Sequence, residues 1–232
     1  MKGLFITFEG TEGCGKSTQL ALLAERLRAL GRPVRTLREP GGTPIGEEIR
    51  HTLKHSQDND AMTPEAELLL LNASRAQLVR EVIRPALAAG EIVLCDRFLD
   101  STTAYQGHGR GLDLNMVAGV VGIAVGDTRP DLTVLLRVPI EISESRRLAR
   151  RQAILLDVPP RQAPEPHYRL PFGEPLRDRM EEADRGFFER VARGYDAIAA
   201  AESGRVRLVD GTAPVGAVNA AIWKMVEPFI RK

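Results

Sequence analysis

The sequence has few of the residues that mark several protein classes. Its 232 residues include only two cysteines, Cys14 and Cys95, which form no CxxC pair and give no disulfide framework. Its four histidines, His51, His55, His108 and His167, make no zinc-ligand spacing with them. The formal charge sums to +1, so no global field draws the chain to nucleic acid or to an anionic membrane. The longest weakly polar run, residues 116–126, falls short of the ~20 residues needed to span a bilayer. The apolar opening after Met1 meets a polar loop at Glu9, too soon for a signal peptide. The expectation is a cytoplasmic chain with neither a membrane nor a nucleic-acid partner.

What is present is ordinary globular material. A hydrophobic content of 43% and a charged content of 27% argue against wholesale disorder. The length suits a single domain spanning residues 1–232. Short apolar segments at residues 4–9, 34–37, 92–96, 132–138 and 205–210 read as strands, and amphipathic stretches alternate with them. Leu20, Leu23, Leu27 and Leu30 mark a helix over residues 17–30, closed by Gly31. Pro64 opens a long helix through residue 87. The alternation predicts a parallel sheet of about five strands covered on both faces. Residues 152–175 break the rhythm with Pro159, Pro160, Pro164, Pro166, Pro171 and Pro175, and read as an irregular surface insertion.

Gly10-Thr11-Glu12-Gly13-Cys14-Gly15-Lys16-Ser17 matches G-x-x-x-x-G-K-[ST] between a buried strand and an amphipathic helix. The glycines let backbone N–H groups turn inward and approach phosphate oxygens closely. Lys16 is expected to reach the β- and γ-phosphates of ATP and Ser17 to place its hydroxyl on Mg²⁺. Ser17 and the neighbouring Thr18 sit where the following helix points its positive end at the anion. Cys14 is either a thiol activated by that helix terminus or a small side chain at a permissive position. The predicted class is therefore α/β, a three-layer P-loop NTPase fold with a lid insertion.

Within that class, a GTPase-type switch would carry D-x-x-G and an N-K-x-D-like motif, and neither occurs. A nucleic-acid motor is disfavoured by small size and balanced charge. Asp96-Arg97 at the end of the third strand suits a kinase instead: Asp96 can anchor the metal's water shell and Arg97 can hold a second phosphate. An ordinary surface ion pair is the bland alternative.

The chain here resembles the bacterial thymidylate kinases. The resemblance is carried by the phosphate loop, Arg38-Glu39-Pro40-Gly41-Gly42-Thr43, Ser74-Arg75, Asp96-Arg97, Ala104-Tyr105-Gln106-Gly107 and Asp210-Gly211-Thr212. It implies ATP with Mg²⁺ as donor, dTMP as acceptor and a homodimer packed through helices such as 64–87. It implies that Glu12 faces the monophosphate and metal, and that Glu39, Pro40 and Arg50 line the acceptor site near its sugar and phosphate. Arg97 would hold the phosphate itself, with Ser101 beside it. Arg75 and Gln106 would read the thymine edge, Thr102 would close that pocket, and Tyr105 would exclude a ribose 2′-hydroxyl. Asp210, Gly211 and Thr212 would border the adenine.

Arg146, Arg147, Arg150 and Arg151 share one short helix, with Arg146 and Arg150 on the same face. Alone, such a cluster reads as a solvated basic face. The phosphate loop contains no arginine, however, and phosphoryl transfer needs cationic donors around the migrating group. The chain thus resembles the subset of the family that supplies this charge from the lid, about 146–182. That implies a catalytic Arg150, with Arg146 toward the adenine. The sequence departs from the family at Leu71, where a phenylalanine usually stacks on the thymine, and at the proline-rich insertion. The alternatives are a kinase for another nucleoside monophosphate and a P-loop module that binds ATP without acceptor-dependent turnover.

Overall fold

β1 (Leu4–Glu9) is buried along nearly its whole length, and its alternation assigns side chains to opposite faces of a sheet. Ile6 and Phe8 enter one core and Phe5 the other. A computed structural model describes residues 3–56, 58–155 and 184–230, with 150–155 as backbone alone. Around β1 stand β2 (Val34–Arg38), β3 (Ile92–Asp96), β4 (Leu132–Arg137) and β5 (Val206–Asp210), all parallel in the order β2-β3-β1-β4-β5. The register sets Phe8 opposite Asp96 and Glu9 opposite Leu135. The carboxyl ends of β1 and β3 therefore meet at one edge, the place where open parallel sheets bind ligands.

One face is covered by α1 (Lys16–Ala29) and α9 (Val215–Ile230), through Leu20, Leu23 and Leu27 against Val218, Ile222 and Val226. The other carries α3 (Pro64–Leu78) and α6 (Leu114–Val125), whose Leu68, Leu78, Val117 and Val121 pack on Phe5 and Val93. A third cluster joins Leu135 to Phe187, Phe188 and Val191 of α8 (Arg185–Ala201).

The helix expected over residues 64–87 is interrupted. After α3 the ladder widens to a π turn at Val79–Ile83 and resumes as α4 (Arg84–Ala88). Pro85 lacks an N–H and its ring crowds the preceding turn, so an unbroken α-helical ladder cannot pass through it. α2 (Pro44–His55), a helix not among those predicted, carries Ile45, Ile49 and Leu53 at four-residue spacing; Thr43 caps it by accepting from Gly46 N at 3.0 Å and Pro44 occupies its first turn. A second π turn, Thr103–Gly109, follows the short α5 (Leu99–Thr102), and such turns are frequent at functional sites. α7 (Ile140–Leu155) includes residue 146, from which the lid was expected to begin. Most of the expected insertion, residues 156–175, lies outside the described residues.

Candidate active site

The phosphate loop leaves β1 at Gly10 and enters α1 through Gly15, with Gly10, Gly13 and Gly15 all at positive φ. At Gly10 the need for glycine is steric as well: a Cβ would stand 2.4 Å from the Leu136 carbonyl oxygen. Lys16 is buried and curls over the loop, donating to the carbonyls of Gly10 and Thr11 at 3.1 and 3.0 Å. Cys14 is buried in the α1 core cluster, which favours the packing reading over that of an accessible thiol. Ser17 Oγ donates to Asp96 Oδ2 at 2.6 Å, bringing two hard oxygen donors together beside the loop. Mg²⁺ prefers such oxygens and completes its shell with phosphate and water.

Beyond the loop opens a cavity of about 450 Å³, counting its mouth, lined at one end by Glu12, Arg97, Ser101 and Tyr105. Its other end is formed by Leu71, Arg75, Thr102 and Gln106, with Glu39, Pro40 and Lys54 along the wall.

Arg97 joins loop and cavity. Its backbone lies at φ 71, a left-handed value rare outside glycine and tolerated mainly where function requires it. Its guanidinium donates to Glu12 at 2.6 Å, to Gly10 O at 3.3 Å, to Ser101 Oγ and to the Tyr105 hydroxyl at 3.1 Å each. Burial works against the charge of Arg97, but Glu12, first among its neighbours, holds its pKa well above the ordinary value. Burial likewise raises the Tyr105 phenol.

Behind Arg97 lies a residue that motif reading missed. Glu9, at the end of β1, accepts from the backbone N–H groups of Phe98 and Ser101. It also accepts from Ser101 Oγ at 2.6 Å and from the Tyr195 hydroxyl at 2.8 Å. Burial, then the nearby charge of Asp100, pushes its pKa up to about 7. The two hydroxyls that Glu9 fixes both face Arg97. The signal was a charge at the last position of an otherwise buried strand.

At the far end, Arg75 is 2% exposed and every one of its five donors is engaged. Nε and Nη2 donate to Glu39 Oε2 at 2.8 and 2.6 Å, Nη1 to Asn72 Oδ1 and Thr102 Oγ1, and Nη2 also to Phe98 O. Burial raises the Glu39 carboxyl pKa and Arg75 opposes that rise. Glu39 Oε1 is buried without a hydrogen-bond partner among the described residues. Glu39 therefore stands on the cavity wall, paired with Arg75. Arg50 is not among the residues that line the cavity; it donates to Pro40 O at 3.0 Å. Lys54, one helical turn further along α2, takes a place on the wall.

On the opposite side of the phosphate loop, Arg146 donates to Gly13 O and to Gly211 O at 3.3 Å. It thereby ties the loop to the Asp210–Thr212 turn, which closes on itself as Thr212 N donates to Asp210 at 2.8 Å. Arg147 covers the Phe188 ring at 4.3 Å. Arg150 belongs to α7, and its side chain lies outside the described residues.

A phosphate loop bound through one arginine to a neighbouring cavity defines a P-loop nucleotide kinase. Known proteins narrow the class. Residues 8–153 match the model of the family described as thymidylate kinase. A thymidylate kinase of Alcanivorax borkumensis is 45% identical over 227 residues, covering 98% of this chain and 97% of the relative. One of Citrifermentans bemidjiense is 47% identical over 213 residues, covering 92% and 86%. Among solved structures, a thymidylate kinase from Ehrlichia chaffeensis matches with a TM-score of 0.70 at 28% identity, over 97% of this chain and 99% of that one. The chain belongs to the thymidylate kinase family.

Proposed function

We propose that ATP lies on the phosphate loop while dTMP lies along the cavity, its phosphate beside Arg97 and its base at the Leu71–Gln106 end. As a member of its family the chain is a phosphotransferase that converts dTMP to dTDP. The observation that carries the placement is Arg97, whose one guanidinium reaches both Gly10 of the loop and Tyr105 of the cavity. A phosphate there would take over donors now given to Glu12, in the charge-assisted geometry arginine favours.

Lys16 would exchange the carbonyls of Gly10 and Thr11 for the β- and γ-phosphates of ATP. Ser17 and Asp96 suit a magnesium ion, which when bound neutralises charge on the ATP phosphates. Arg146 and the Asp210–Thr212 turn would border the adenine. The resemblance gives Arg150 the migrating phosphoryl group, at the head of a lid over 146–182 that includes the insertion at 152–175. The protein's contribution is thus position and charge rather than covalent chemistry. Tyr105, packed at the phosphate end, would exclude a ribose 2′-hydroxyl. Arg75 would have to release Thr102 or Asn72 to reach a thymine oxygen, because it has no spare donor.

Single-domain organisation, a cytoplasmic location and a homodimer complete the reading. No described helix is long and apolar enough to cross a membrane. Leu69 on α3 and Ile123 on α6 are 59% and 77% exposed, which supports association through that helix pair. Light scattering would check the mass. The acceptor assignment is tested by coupled ADP release with dTMP, dUMP, UMP, dGMP, AMP and CMP. The expectation is dTMP first; a purine nucleotide turned over faster would refute it.

A further inference from the structure

Glu67, Leu71 and Arg75 stand four residues apart on α3, so they share one face of the helix. Leu71 and Arg75 line the cavity, whereas Glu67 is fully buried one layer behind it. Glu67 Oε1 accepts from Gln106 Nε2 at 2.7 Å. Arg110 donates to the same carboxylate twice, from Nε at 3.2 Å and from Nη2 at 2.9 Å. Arg110 is itself held against the Phe187 ring of α8 at 4.7 Å.

An amide side chain can turn either its oxygen or its nitrogen to a ligand, and the two orientations read opposite hydrogen-bond patterns. A carboxylate paired with arginine only accepts, so Gln106 must give Glu67 its Nε2. The atom left to face the cavity is Oε1, which receives no hydrogen bond among the described residues. Gln106 is 1% exposed, and a reversed amide would set oxygen against oxygen in a buried place and leave both acceptors unsatisfied. Glu39 Oε1, another acceptor nearby, is buried.

We propose that Glu67, clamped by Arg110, is a specificity-determining positioning residue: it locks Gln106 with its carbonyl oxygen toward the acceptor base. This rests on the placement of the base at the Gln106 end. A pyrimidine with an N3–H donor, thymine or uracil, satisfies that oxygen. Cytosine offers a lone pair at N3 and leaves two acceptors facing each other. Sites that reject a ligand by leaving buried polar groups unpaired discriminate far better than sites that rely on size.

The test is kcat/KM for dTMP and for dCMP in the wild type, Glu67→Gln, Glu67→Asp and Arg110→Ala. Gln at 67 is nearly isosteric but can both donate and accept, so Gln106 is free to reverse. The dTMP-to-dCMP ratio is expected to fall by about tenfold or more in E67Q, the difference carried by roughly 1.4 kcal/mol. E67D still only accepts, so its ratio is expected to stay within about threefold of wild type even if both efficiencies drop. R110A loosens the clamp from its partly exposed side and is expected to move the ratio in the E67Q direction, by less. Should E67Q prove insoluble, R110A carries the comparison, and an unchanged ratio there overturns the lock. Parallel losses on both substrates in E67Q would make Glu67 merely structural and refute the proposal. A wild type that does not phosphorylate dTMP would instead overturn the acceptor placement and the lock with it.

Discussion

Replacing Arg75 by methionine should unfold the protein more readily at high pH than at low pH. The side chain is almost wholly buried and its five donors all serve protein acceptors, two of them at Glu39. Methionine fills similar volume, so cavity formation is a minor part of the loss. The main loss is a buried carboxylate stripped of its cation, for which about 3–5 kcal/mol is typical. For a domain of this size each kcal/mol shifts the melting temperature by about 2–4 °C, so the drop should lie between about 6 and 20 °C.

Burial already raises the Glu39 pKa above 4.5, and Arg75 is what opposes that rise. Without the arginine the folded-state pKa climbs further. A carboxyl whose folded pKa is raised stabilises the fold while protonated. That contribution is complete below about pH 4.5 and is lost as pH rises through the folded value. The R75M deficit relative to wild type should therefore be larger at pH 8 than at pH 5. Adding Glu39→Gln removes the stranded charge, so E39Q/R75M should recover stability at pH 8 and flatten the difference. Urea unfolding of the wild type, E39Q, R75M and E39Q/R75M at both pH values closes the cycle. A double variant no more stable than R75M at pH 8 would refute the reasoning.

Arg97→Ala should raise KM for dTMP much more than for ATP, because the guanidinium faces the cavity from the loop's edge; equal effects would place the acceptor phosphate elsewhere. Glu9, with its pKa lifted from 4.5 to about 7, should lower folding stability by about 2–3 kcal/mol as pH rises from about 5 to 8, since protonation favours the folded form. Glu9→Gln should abolish that slope, and an unchanged slope by urea titration would show that the carboxyl is not responsible. Leu71→Phe should lower KM for dTMP by about two- to twelve-fold with little change in kcat, because stacking adds about 0.5–1.5 kcal/mol that an aliphatic side chain lacks. A KM that stays or rises would mean that the base does not pass over residue 71.

Local pattern was enough for much of this molecule. The phosphate loop is contiguous, each residue's part follows from its own chemistry, and the flanking strand and helix announce themselves by spacing. The five strands were legible because buried parallel strands are short apolar runs. α6 was not, because Leu114–Val125 is apolar on every side and offers no period to read. The break at Val79–Ile83 follows from Pro85, a local cause that the helical pattern of residues 64–87 concealed.

Only the tertiary structure decided which polar groups remain available to a ligand. Sequence puts Arg75 and Gln106 near one another but cannot tell that every donor of Arg75 is engaged or that Gln106 is turned by Glu67. It cannot see that Lys54 rather than Arg50 reaches the cavity wall, or that Glu9 stands behind Arg97. Each depends on residues distant in the chain meeting in a buried place, where a hydrogen-bond donor or acceptor must be matched and so fixes its neighbours. Motifs name the residues that touch a ligand; packing determines which atom each of them presents.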